Sequence, residues 1–164
     1  MKNLYFTFVY PYLIYCIEIW GNTNDVHLNP VINLQKKSIR TISFSHYLDS
    51  TAPLFKKLNI LSLKKLVTQR IALLMFKQNF GILPYPIDTL FITNNSQHNY
   101  NTRQSSDLHT QIGKSESVYK LFSFHGIHIW NHISKKIPTD VSYACFKKLS
   151  KMYIQNNNIP YRII

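Results

Sequence analysis

From Leu4 to Trp20 the chain is apolar at almost every position, and the run stops at Gly21 and the polar stretch Asn22 to Asp25. That pattern predicts one helix over about 4–20, aromatic enough to pack on several sides. The next apolar set has helical spacing. At about 100° per residue, Val31, Ile32, Leu34, Ile39 and Ile42 share one side and Lys36, Lys37 and Arg40 the other. Asn29 can cap and Pro30 suits a first helical position, so the predicted helix runs from Asn29 to Ile42.

Ser50, Thr51 and Pro53 repeat the start signal before the short helix PLFKKLN, and Ser62 opens a longer one that Gly81 closes. In that longer helix Leu63, Leu66, Val67, Ile71, Leu73, Leu74, Met75, Phe76 and Phe80 leave almost no polar side, which predicts the most buried element. Arg70 and Lys77 interrupt it and reach outward on long stems. A short helix at Ile87 to Phe91 follows the prolines of Leu83 to Pro86.

Composition then changes. Thr93 to Ser117 is rich in Asn, Ser, Thr and Gln, as a long loop or paired short strands would be. Tyr119 to Phe124 alternates as one strand, Gly126 and Pro138 bound a helical turn holding Trp130, and a last helix spans Ser142 to Gln155. In the last helix Cys145, Phe146, Leu149, Met152 and Tyr153 oppose Lys147, Lys148 and Lys151. The fold class expected is mainly α. A helical unit over 1–91 leads through a polar stretch, 92–117, to a smaller α+β unit over 118–155, with a fraying tail at 156–164.

Charge sets the candidate chemistry. The 164 residues carry 19 Lys and Arg against 7 Asp and Glu, a formal charge of +12. A polyanion is the matching partner, RNA or DNA first and anionic membrane second. Membrane insertion is not expected: the first apolar run contains Pro11, is followed by Glu18, lacks a small-x-small cleavage pattern, and is shorter than the ~20 apolar residues a spanning helix needs. Cys16 and Cys145 form no metal spacing or disulfide framework, as in a reduced intracellular protein, nuclear or cytoplasmic.

Four stretches, YPYLIYCIEIWGNT (10–23), NLQKKSIRTI (33–42), HNYNTR (98–103) and GIHIWNHI (126–133), resemble in order and rough spacing the region after the polymerase core in reverse transcriptases of jockey-like non-long-terminal-repeat retrotransposons. The matching positions are Tyr12, Tyr15, Trp20, Gly21, Gln35, Lys36, Arg40, Tyr100, Arg103, Trp130 and Asn131. The resemblance implies a thumb-like N-terminal unit and post-thumb region of an RNA-directed DNA polymerase, with an upstream polymerase domain as partner. None of these positions is catalytic in that family.

The acidic residues fit that implication. Phosphoryl transfer of this type needs paired aspartates holding two cations, whereas Glu18, Asp25, Asp49, Asp88, Asp107, Glu116 and Asp140 each stand alone. No enzyme activity, metal or cofactor is expected. His125, His128 and His132 would line one side of a continuous helix, with His98, His109 and Cys145 as completing ligands, but Gly126 interrupts them. Trp20 and Trp130 lie in apolar runs and read as buried anchors. The expected function is sequence-nonspecific nucleic-acid binding through Lys36, Lys37, Arg40, Arg103, Lys147, Lys148 and Lys151. Two other readings stay open: a non-functional remnant of a truncated mobile element, and a small basic protein held at a membrane by residues 4–20.

Overall fold

The computed structural model describes residues 2–97, 102–110, 113, 115–157 and 159. They are mainly helical, with five helices of eight residues or more: α1 (Asp25–Ser43), α2 (Thr51–Leu58), α3 (Leu63–Asn79), α4 (Phe122–Ile133) and α5 (Tyr143–Asn156). The chain divides into two units, Met1–Val67 and Thr68–Ile164, so the division falls within α3 and the polar stretch lies in the second unit.

In the first unit the predicted single helix over 4–20 is broken. Pro11 has no N–H to give, and the backbone just before it widens into a π-turn, Tyr5–Val9, in which the Tyr10 N–H reaches the Tyr5 carbonyl. Helix resumes over Tyr10–Ile14 and breaks again at Cys16, which takes a left-handed conformation (φ 49°), before the last turn, Ile17–Trp20. The indole N–H of Trp20 donates to the Tyr15 carbonyl across that break at 2.6 Å. Trp20 is half-buried rather than the buried anchor expected. Gly21 is required by proximity: a Cβ there would lie 2.4 Å from the Ile17 carbonyl oxygen and 2.6 Å from Val67 Cγ2.

Helix α1 starts four residues earlier than the Asn29–Pro30 signal indicated. Asn24 is its cap position, Asp25 favours the positive end of the helix dipole, and Pro30 is accommodated inside the helix, where both it and Val26 are exposed. The buried line of α1 is Leu28, Gln35 and Ile39, while Leu34 is 64% exposed. The centre of the stripe is therefore an amide, because its polar atoms all find partners. Gln35 Nε2 donates to the Tyr5 hydroxyl (2.8 Å) and the Leu61 carbonyl (3.1 Å), and Gln35 Oε1 accepts from the Leu63 N–H (2.9 Å). One side chain thus ties the N-terminal segment and the entry to α3 onto α1.

Burial raises the Tyr5 phenol above its usual range, against the hydrogen bond from Gln35, which lowers it. The unfolded chain ionises this phenol near pH 10, whereas the folded unit holds its proton to higher pH. Stability from this source is therefore complete below about pH 10 and is lost as pH rises through the folded value. Urea melts at increasing pH should show wild type falling away faster than Tyr5→Phe beyond that point. Parallel curves would mean that the phenol is solvated.

In the second unit the later part of α3 packs beside α4 and α5. Phe76 stacks on Phe146 of α5 at 4.4 Å, and Trp130 of α4 lies 6.1 Å from the same ring. Gln69 Nε2 donates to the Lys147 carbonyl at 3.2 Å. Met75 is fully buried and sits over Gly126, where a Cβ would come within 2.7 Å of its sulfur. That close approach explains why a glycine stands mid-helix in α4, which continues through it instead of starting there. The predicted burial of α3 holds for Leu63, Leu66, Val67, Ile71, Leu73, Met75 and Phe76, but Phe80 lies past its end and is 48% exposed.

The α+β character expected for the C-terminal unit is absent: no strand occurs among the described residues. Within Tyr119 to Phe124, Tyr119 ends a helical turn, Glu116–Tyr119, Leu121 is extended as the cap position, and Phe122 to Phe124 open α4. A run of six is too short for period two to be told from period 3.6. In the polar stretch, Thr93 and Leu108 form an isolated antiparallel bridge, and Asn131 clamps its far side. Its Oδ1 accepts from the Leu108 N–H (3.0 Å) and its Nδ2 donates to the Leu108 carbonyl (2.9 Å). The short helix expected at Ile87 to Phe91 is the single turn Tyr85–Asp88. No helix among the described residues is long and apolar enough to cross a membrane.

Candidate nucleic-acid interface

The two predicted lysine groups have different surroundings. On α1, Lys37 is exposed while Lys36 and Arg40 are half-buried, because they flank the line of Gln35 and Ile39. Arg40 also has structural work: its Nε donates to the Asp49 carbonyl at 3.0 Å and its guanidinium lies 5.9 Å from the Tyr47 ring centre, fastening the loop after α1. Neither contact neutralises the guanidinium, but together they fix where Arg40 lies.

On α5 the lysines are better presented. Ser142 caps the helix by accepting from the Cys145 N–H at 3.4 Å, and the buried line is Phe146, Ser150 and Ile154. Cys145 and Met152, expected on the apolar side, are exposed. Ser150 can stand in that line because it is small and its hydroxyl donates to the Lys147 carbonyl at 3.2 Å. Lys147 and Lys148 are exposed and Lys151 is half-buried, the three lying within two turns. Two residues outside the predicted set join them. The ammonium of Lys77, at the end of α3, lies 5.5 Å from the ring centre of Tyr143, and Tyr143 precedes Lys147 by one turn. The sequence signal for Lys77 was its position as a lone cation near the end of an apolar helix.

Arg103 is exposed in a turn over 103–106. His98 and Tyr100, from the same motif, lie outside the described residues, as do 158 and 160–164 of the expected tail.

The three histidines share a side of α4, since the helix is continuous, and with Asp107, Lys135 and Lys136 they line a hollow of about 410 Å³. Lys135 pairs with Asp107, and the His132 Nε2 lies 3.2 Å from the Tyr153 hydroxyl. Burial lowers the His128 imidazole below its usual range. Among the described residues no three His, Cys, Asp or Glu side chains are placed to hold one metal ion. Carboxylates elsewhere have local partners: Asp25 pairs with Lys64 at 2.9 Å, and Asp49 accepts from the His46 N–H at 2.8 Å.

No protein-family model, curated protein or solved structure matches this chain.

Proposed function

We propose that this chain is a non-catalytic helical module that holds RNA or DNA by its phosphate backbone without reading sequence. The observation that carries the reading is α5. Its apolar side is fixed in the core by Phe146, Ser150 and Ile154, and Lys147, Lys148 and Lys151 project from the remainder. They belong to a unit, 68–164, with eleven Lys and Arg against four Asp and Glu. Ammonium groups meet phosphate as point charges and gain affinity by releasing counterions, a mode indifferent to base identity. The resemblance to the thumb and post-thumb region of jockey-like reverse transcriptases supports the same class of partner. The acidic residues support the absence of catalysis, since each is separated from the next in sequence and Asp25, Asp49 and Asp107 are engaged locally.

The test is fluorescence anisotropy of the purified chain with labelled oligonucleotides of unrelated sequence and equal length, alongside a primer-extension assay with Mg²⁺ or Mn²⁺. Similar affinities for all sequences and no template-dependent incorporation are expected. Strong preference for one sequence, reproducible incorporation, or no binding at low salt would each refute the proposal.

A further inference from the structure

Tyr143 is a large aromatic side chain, 40% exposed, placed among cations. Its ring is not loosely held. Phe76 supports it at a centroid distance of 6.1 Å, and Phe76 is in turn stacked on buried Phe146 at 4.4 Å. Behind Tyr143 there is therefore a fixed aromatic column reaching into the core. The ammonium of Lys77 lies over the ring, 5.5 Å from its centre, on a flexible stem that can swing aside for a base, and Lys147 follows one turn along α5. A supported ring whose exposed part is flanked by lysines is what a nucleic acid with unstacked bases can use. The base stacks on the ring while the flanking phosphates meet the ammonium groups, and every base has a π-face, so sequence is not read. A duplex cannot use the ring without unstacking a pair, because its bases are already stacked on one another.

We propose that the α5 surface selects single-stranded over double-stranded nucleic acid, with Tyr143 as the stacking platform and Lys77 and Lys147 as its phosphate contacts. This rests on the nucleic-acid reading above and adds the strandedness of the ligand. The exposed part of the Tyr143 ring is the specificity-determining group. The lysines serve single strand and duplex alike.

The experiment compares wild type, Tyr143→Phe, Tyr143→Leu and Tyr143→Ala against three fluorescent probes of equal length: a mixed-sequence single strand, the same strand with abasic sites, and the corresponding duplex. Leucine keeps an apolar group against Phe76 while removing the π-system, so it separates stacking from folding, and circular dichroism melts confirm that each variant is folded. Wild type and Tyr143→Phe should bind the single strand alike. Tyr143→Leu and Tyr143→Ala should lose about tenfold on that probe, with affinity for the abasic strand and duplex unchanged. Equal binding of the single strand by wild type and Tyr143→Leu would overturn the proposal while leaving nonspecific backbone binding intact. A loss of equal size on all three probes would also overturn it, by showing that the ring only supports α5. Failure of wild type to bind any probe would sink both this proposal and the reading on which it rests.

Discussion

Replacing Gln35 with leucine should destabilise the first unit by about 3–5 kcal/mol, although leucine is apolar and close in size. Gln35 is 1% exposed, and its amide serves three groups at once: the Tyr5 hydroxyl, the Leu61 carbonyl and the Leu63 N–H. Leucine would remove the partner of all three without removing the groups. A buried donor or acceptor left unsatisfied costs about 1–3 kcal/mol, more than a hydrogen bond contributes net. Tyr5→Phe removes a single member and should cost about 1 kcal/mol. In the double variant the two losses should add to less than their sum, because the Tyr5–Gln35 bond is counted in both. Urea unfolding gives all three values. A Gln35→Leu protein as stable as wild type would mean that water replaces the amide.

A comparable loss is expected in the second unit for Trp130→Ala, about 3–5 kcal/mol, for the different reason that a cavity is left. Trp130 is 6% exposed and lies against Phe146, which is itself stacked on Phe76. Removing the indole deprives α4 of its contact with Phe146, through which α5 meets Phe76 of α3, so their unfolding should become less cooperative as well as easier. Trp130→Phe should recover a large part of the loss. Thermal melts followed at the backbone check both. A Trp130→Ala melting curve coincident with wild type would contradict the packing described.

Much of this was legible in the sequence, and several of the misses share a cause. The helices α2, α3 and α5, the burial of Met75 and Trp130, and the presentation of Lys147 and Lys148 follow from apolar spacing and capping residues. The buried lines of α1 and α5 were misplaced because a polar residue occupies the middle of each, Gln35 in one and Ser150 in the other. Hydropathy assigns such residues to the solvent side, and only their hydrogen-bond partners, distant in sequence or a turn away, show otherwise. Similarly, Gly126 looks like a helix boundary until Met75 is seen above it, and Asn131 looks like a surface amide until Leu108 is found between its two polar atoms. Gly21, Gln35, Trp130 and Asn131 each hold local structure together.

The surface chemistry was less legible. Lys36, Lys37 and Arg40 formed a cleaner group on a helical projection than they do in space, since Arg40 is committed to the Asp49 carbonyl and the Tyr47 ring. Tyr143 and Lys77 are far apart in sequence and meet only because α3 and α5 pack together, which no local pattern encodes.

Backbone binding by α5 is tested most directly by the salt dependence of affinity, measured by anisotropy on wild type and on Lys147→Gln/Lys148→Gln/Lys151→Gln. The three lysines lie off the buried line of Phe146, Ser150 and Ile154, so the variant should remain folded. For wild type, the logarithm of the association constant should fall linearly with the logarithm of salt concentration, and the variant should bind more weakly with a slope shallower by about 0.7–0.9 for each phosphate contact removed. An unchanged slope at unchanged affinity would place the binding surface elsewhere and contradict the account.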